Sequence, residues 1–159
     1  MTEIRANDAV LTQLRAARDF ADLHYAEPID LEQLAAIATL SKYHFHRLFA
    51  ATYGLTPAAY LSQRRIERAQ DLLRATNLTV TEVCHAVGFT SLGSFSSRFT
   101  QIVGKSPREF AEHYARVGAP RIPGCYVFMW GLAETAGTGA NESASTTASQ
   151  EKRGAQPRS

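Results

Sequence analysis

Sulfur is scarce in this chain, and long apolar runs are absent. Two cysteines and two methionines stand among 159 residues. Cys84 and Cys125 form neither a disulfide framework nor a metal-ligand spacing, so both read as free thiols of a reducing compartment. The longest apolar run, Cys125 to Trp130, is far shorter than the ~20 residues a membrane-spanning helix needs. Thr2, Glu3, Arg5, Asn7 and Asp8 exclude the apolar stretch of a signal peptide at the start, and a cytoplasmic protein without membrane attachment is expected. Metal-binding patterns are missing too. His44 and His46 are two apart, which on a helix points them about 200° from each other. His24, His85 and His113 add no useful spacing, so no metal and no cofactor is expected.

A large net charge is also lacking, at +2, but the charge is unevenly placed. Residues 1–32 carry Arg5, Arg15 and Arg18 against seven acids, whereas residues 42–116 carry ten Lys or Arg against five. That asymmetry suits a basic face for a polyanion, and it suits ordinary solvated surface equally well.

What the sequence does have is helical punctuation. Residues 8–26 carry an apolar stripe at Val10, Leu11, Leu14, Ala17, Phe20, Ala21 and Leu23–Tyr25, closed by Pro28. Asp30 and Gln33 have capping-box spacing and open a helix burying Leu31, Leu34, Ala35 and Ala38. Ser41 caps a third helix to about Tyr53, with Phe45, Leu48 and Phe49 inward and Gly54 at its end. Thr56-Pro57 starts a long helix to about Ala75. Thr79 with Glu82 opens a short helix, Thr90 or Ser91 caps one burying Phe95, Phe99 and Ile102, and Ser106-Pro107-Arg108-Glu109 starts a seventh to about Val117. Seven helices and no convincing strand over 1–117 predict an all-α domain. Residues 118–133 read as an extended apolar segment and 134–159, rich in Ala, Ser, Thr and Gly, as a disordered tail.

The helical part repeats itself. Phe45 and Phe95, Phe49 and Phe99, Gly54 and Gly104, Pro57 and Pro107, and Tyr60 and Phe110 are each 50 positions apart. The preceding short helices match at an offset of 49, Leu34-Ala35 against Val83-Cys84, so the second copy has one extra residue at its turn. Short helix, tight turn and longer helix, twice over, describe a duplicated helix-turn-helix, with units at about 30–54 and 79–104 and a connector at about 57–75. A repeated hairpin serving only as a protein-interaction scaffold is the competing reading. The polar projecting faces, with Lys42, Tyr43, His46 and Arg47 in one copy and Ser94, Ser97 and Arg98 in the other, favour a surface that reads a duplex.

These residues resemble a known family. The segment RAQDLLRATNLTVTEVCHAVGFTSLGSFSSRFTQIVGKSPREF, with its GFxSxxxFxxxF and GxSPxxF spacing, is similar to the DNA-binding domain of AraC/XylS-type transcription regulators, and LEQLAAIATLSKYHFHRLFAATYGLTPAAYL has the matching form. The resemblance covers about 85 residues, from Asp30 to Tyr114. It implies a bacterial, nucleoid-associated regulator with double-stranded DNA as partner, RNA polymerase as a further one, and a monomer bound to DNA. It also implies two helix-turn-helix subdomains on a rigid connector, roughly 25 Å long at ~1.5 Å per residue. Such a connector places two recognition helices in successive major grooves of an asymmetric site. Only about 29 residues precede the first unit, as in the small members without an effector domain.

By position within the family pattern, base contacts are expected from Tyr43, His46 and Arg47 in the first unit and from Leu92, Ser94 and Ser97 in the second. Lys42, Arg64, Arg65, Arg98 and Lys105 are expected at phosphates, with Arg68 either there or paired with Asp71 or Asp30. Ser97 stands where relatives commonly place an arginine, so the first unit is expected to dominate readout while the second anchors. An enzyme is not expected. Some repair methyltransferases carry this domain, but they need an activated cysteine; Cys84 falls on a buried helix face and Cys125 lacks metal ligands.

Overall fold

The computed structural model describes residues 7–118. From residue 119 onward the extended segment expected at 118–133 and the tail expected at 134–159, Cys125 included, lie outside the described residues. Within them the fold is all-α: α1 (Asp8–Leu23), α2 (Leu31–Ile37), α3 (Lys42–Tyr53), α4 (Pro57–Ala75), α5 (Val80–Ala86), α6 (Leu92–Val103) and α7 (Pro107–Val117). None of these helices is long and apolar enough to cross a membrane.

Local chemistry sets most helix starts. Asp30, Thr79 and Ser106 each accept from the N3 amide while Gln33, Glu82 and Glu109 reach back, completing three capping boxes. Ser41 and Ser91 cap α3 and α6 in the same way, each accepting from the amide three residues on. Gly54 and Gly104 end those two helices in the left-handed region, at φ 74° and 82°.

The repeat is a structural one. Phe49 meets Tyr60 edge-on at 5.6 Å and 75°, and their counterparts Phe99 and Phe110 meet at 5.4 Å and 77°. Phe45, Phe49, Phe95 and Phe99 are fully buried. Burying each such ring stabilises the fold by ~1.5–3 kcal/mol, so these pairs form the two halves of the core. α4 lies between the halves, with Leu61, Ile66, Ala69, Leu72 and Leu73 buried. It packs on α1 and α3 on one side and on α5, α6 and α7 on the other.

The turns inside the two units share a hydrogen-bond pattern. Thr39 and Leu40 donate back to Ala36 and Ala35; Gly88 and Phe89 donate to His85 and Cys84. Each therefore needs a left-handed residue, and the copies meet the need differently. Gly88 adopts φ 91° freely, whereas Thr39 is held at φ 53°, where a β-branched residue is strained by about 1–2 kcal/mol. The Gln13 amide on α1 donates to the Thr39 hydroxyl at 2.7 Å and supports it.

Two expectations change. α1 stops at Leu23, not near residue 26, and Leu23 is 56% exposed. The chain turns at His24–Glu27, where Tyr25 is buried and the carbonyls of Tyr25 and Glu27 accept from the Arg65 guanidinium. Ile102 is 38% exposed and not part of the core; its counterpart 50 residues earlier, Thr52, is exposed as well.

A Cβ at Gly88 would lie 2.7 Å from the Ala26 carbonyl oxygen, whereas one at Gly54 meets nothing within 4 Å. Gly54→Ala should therefore cost about 1 kcal/mol for the left-handed backbone alone. Gly88→Ala adds an overpacking clash and should cost about 3 kcal/mol. Urea unfolding of both variants checks the difference.

Candidate nucleic-acid interface

At 100° per residue, burial of Phe45, Leu48 and Phe49 turns Tyr43 and Arg47 of α3 directly outward, with His44 and His46 on the flanks. Tyr43 is 73% exposed, and the Arg47 guanidinium lies 5.6 Å from its ring centroid. Among the described residues Arg47 is paired with no carboxylate. The ridge therefore offers a planar fork of donors beside an aromatic face, a combination suited to purine edges and thymine methyls. His46 is half-buried at the edge of a cavity of about 390 Å³, beside Leu31, Pro57, Leu61 and Arg65. Lys42, at the first turn, pairs with Glu32 of α2. Both groups are more than half exposed, so the pair is weak and a phosphate can displace it.

The second recognition helix has the same frame and a different surface. Gly93 and Ser97 occupy the outward positions of Tyr43 and Arg47. Leu92 is 43% exposed and Ser94 is exposed, its amide bonded to Ser91. The ridge is nearly featureless and uncharged.

The arginines expected at phosphates are mostly engaged within the chain. Arg64 grips Asp22 of α1 through Nε at 2.8 Å and Nη2 at 3.2 Å, and Glu67 through Nη1 at 2.8 Å. These carboxylates raise its pKa beyond the ordinary arginine value. Asp22 also accepts from the Tyr60 hydroxyl at 2.8 Å. Arg65 donates to the carbonyls of Tyr25 at 2.6 Å and Glu27 at 2.8 Å. Burial lowers the pKa of its guanidinium, which nevertheless stays charged. Both side chains turn toward the α1–α2 segment, where two turn carbonyls and a carboxylate accept from them. Arg98 stands 50 positions from the buried Leu48, so its stem covers the core of the second unit, and it donates to Gln101 at 2.7 Å. Lys105 is exposed, but it follows the C-terminal end of α6 and borders a groove with Phe110, His113 and Tyr114. Arg68 lies 4.0 Å from Asp71. The offset of 50 could have revealed the place of Arg98, and Glu67 is a local partner of Arg64; Asp22 and the Tyr25 and Glu27 carbonyls lie about 40 residues away and leave no local signal.

Among the described residues no three His, Cys, Asp or Glu side chains gather as metal ligands. Cys84 is buried, its thiol faces the Phe89 carbonyl at 3.9 Å, and burial raises its pKa, which disfavours the thiolate a methyl acceptor needs.

Comparison with known proteins agrees with this geometry. A helix-turn-helix domain model matches residues 34–113. The HTH-type transcriptional activator RhaS of Enterobacter sp. (strain 638) is 37% identical over 106 residues, covering 67% of this chain and 37% of that protein. The chain thus spans little more than a third of the length of that relative. Among solved structures, the DNA-binding domain of the global transcriptional factor AdpA, in complex with a target DNA, is similar at TM-score 0.62 and 33% identity, over 65% of this chain and 95% of that one. An AraC-type regulator from Chromobacterium violaceum is similar at TM-score 0.62 and 28% identity, over 70% of this chain and 100% of that one. These relatives are transcription regulators. Two helix-turn-helix units on one connector, matched by sequence and by structure, show that the chain belongs to the AraC/XylS family of DNA-binding transcription regulators.

Proposed function

We propose that one copy of this chain binds an asymmetric two-part site on double-stranded DNA, and that α3 supplies most of the base discrimination. The observation that carries this reading is the contrast between equivalent ridges, Tyr43 and Arg47 on α3 against Gly93 and Ser97 on α6. Arg47 has the reach and the free donors for a guanine, Tyr43 for a thymine methyl, and His46 for a neighbouring base edge. Leu92, Ser94 and Ser97 give α6 a weaker role, through van der Waals contact and single hydrogen bonds. α4, at 19 residues, is ~28 Å long, close to the ~34 Å between successive major grooves on one duplex face. Lys42 supplies a phosphate contact once Glu32 is displaced. Arg64, Arg65 and Arg98 serve the fold and not the phosphates. The relatives named activators make RNA polymerase the natural further partner.

Selection of bound duplexes from a random library should return a ~20-bp asymmetric site, occupied by one protein per duplex in sedimentation. No enrichment at moderate salt would favour the protein-interaction scaffold instead.

Arg47→Ala should lose discrimination among operator variants by ~1–3 kcal/mol, roughly 5- to 150-fold. Ser97→Ala should change it little, and Ser97→Arg should sharpen preference in the second half of the site. Equal losses for Arg47→Ala and Ser97→Ala in competition binding would refute the unequal division. Lys42→Ala should weaken binding to all sequences alike and lower the slope of log affinity against log salt by about one.

A further inference from the structure

We propose that Arg65 is a positioning residue that sets the rotational phase between the two recognition helices, and thereby the half-site spacing the protein accepts. The inference rests on the two-groove reading above. α2 and α3 pack chiefly on α1 and α4, while α5 and α6 pack on α4 and α7. The angle between the units therefore depends on what braces them across the connector.

That brace is short and specific. Arg65 leaves the middle of α4, and its guanidinium binds the Tyr25 and Glu27 carbonyls, in the segment that leads into the first unit at Asp30. The same guanidinium lies 5.8 Å from the ring centroid of Phe89, in the turn of the second unit. Phe89 stands edge-on to Phe95, the first buried ring of α6, at 5.4 Å. Next to it, Gly88 comes so near the Ala26 backbone that a Cβ there would sit 2.7 Å from the carbonyl oxygen. One planar cation thus ties the lead-in of the first unit to the turn that aims the second recognition helix. Its donors are directional and its partners are backbone atoms, so a rotation of either unit about α4 breaks a hydrogen bond or the ring contact.

A change of one base pair between half-sites rotates one about 34–36° relative to the other. A braced protein cannot follow that rotation; an unbraced one can. The test compares wild type, Arg65→Met, Arg65→Lys and Phe89→Leu on the selected duplex, on duplexes with one base pair inserted or removed between the halves, and on one holding the first half-site alone. Wild type should lose about tenfold or more per step of spacing, a loss of ~1.4 kcal/mol. Arg65→Met should bind the isolated first half-site within about twofold of wild type, because α3 is untouched, yet show a spacing penalty of about threefold or less. Arg65→Lys should restore part of the penalty. Phe89→Leu, which keeps an apolar side chain in the turn, should relax spacing in the same direction, and it carries the test if Arg65→Met fails to fold. The salt slope should not change with Arg65→Met, since the guanidinium is directed to the Tyr25 and Glu27 carbonyls.

The inference is overturned if Arg65→Met and Phe89→Leu keep the full wild-type penalty, or if Arg65→Met weakens every duplex equally and lowers the salt slope by about one. Indifference of the wild type to spacing would overturn the two-groove reading itself, and the brace with it.

Discussion

Neither recognition unit can close its own core, and this constraint explains the placement of everything else. A seven-residue helix and a twelve-residue helix have too little apolar surface to hide from water between them. Each unit must borrow walls: α4 serves both, and α1 adds a larger one for the first. Ile66 and Ala69 are wholly buried on α4. The connector is therefore less a spacer than a shared core element, and the rigidity attributed to it follows from burial on opposite sides. An exposed helix of the same length would only have its own hydrogen bonds to keep it straight.

The duplication kept what buries and let go of what projects. Ring geometries agree between copies to within a few tenths of an ångström and a few degrees, as at Phe45–Phe49 (5.4 Å, 51°) and Phe95–Phe99 (5.7 Å, 54°). Close packing enforces that agreement, since a core tolerates little change of shape. Outward positions feel no such pressure from the fold, which leaves Arg47 in one copy and Ser97 in the other. Arg98 shows the boundary between the two regimes. It sits where the first copy has Leu48, covering the core with its stem while its head turns to Gln101, as long amphipathic side chains can.

Helix starts, and the ends of α3 and α6, were legible in the sequence because their causes are local: a serine or threonine, an acid or amide three residues on, a proline in the first turn, a glycine after the last. The two units were legible because aromatic residues recur at a fixed offset. The seats of the arginines were not. Arg64 and Arg65 stand on the polar side of α4 and look like any cations facing a polyanion; what claims them are Asp22, Tyr25 and Glu27, about 40 residues earlier. Past Leu23 the chain turns, the Glu27 amide donating to the His24 carbonyl and the Ile29 amide to the Glu27 carbonyl, and Arg65 takes the Tyr25 carbonyl and shares that of Glu27. Competition between local periodicity and a distant donor leaves no trace in a window of a dozen residues. On α3, helical periodicity accounts for the outward places of Tyr43 and Arg47 but not for the half-buried seat of His46 against Pro57 and Leu61.

The unlike turns of the two units bear on modularity. The first keeps a strained Thr39 because Gln13 of α1 holds its hydroxyl; the second relies on Gly88 because the Ala26 backbone leaves no space for a side chain. Each turn is fitted to a neighbour outside its own repeat. The copies are consequently no longer interchangeable parts, although their cores nearly superpose. A unit moved to another scaffold, or exchanged with its twin, would leave its buttress behind. New pairings of reading heads in this architecture are more readily made by changing residues on the outward ridges than by recombining whole units.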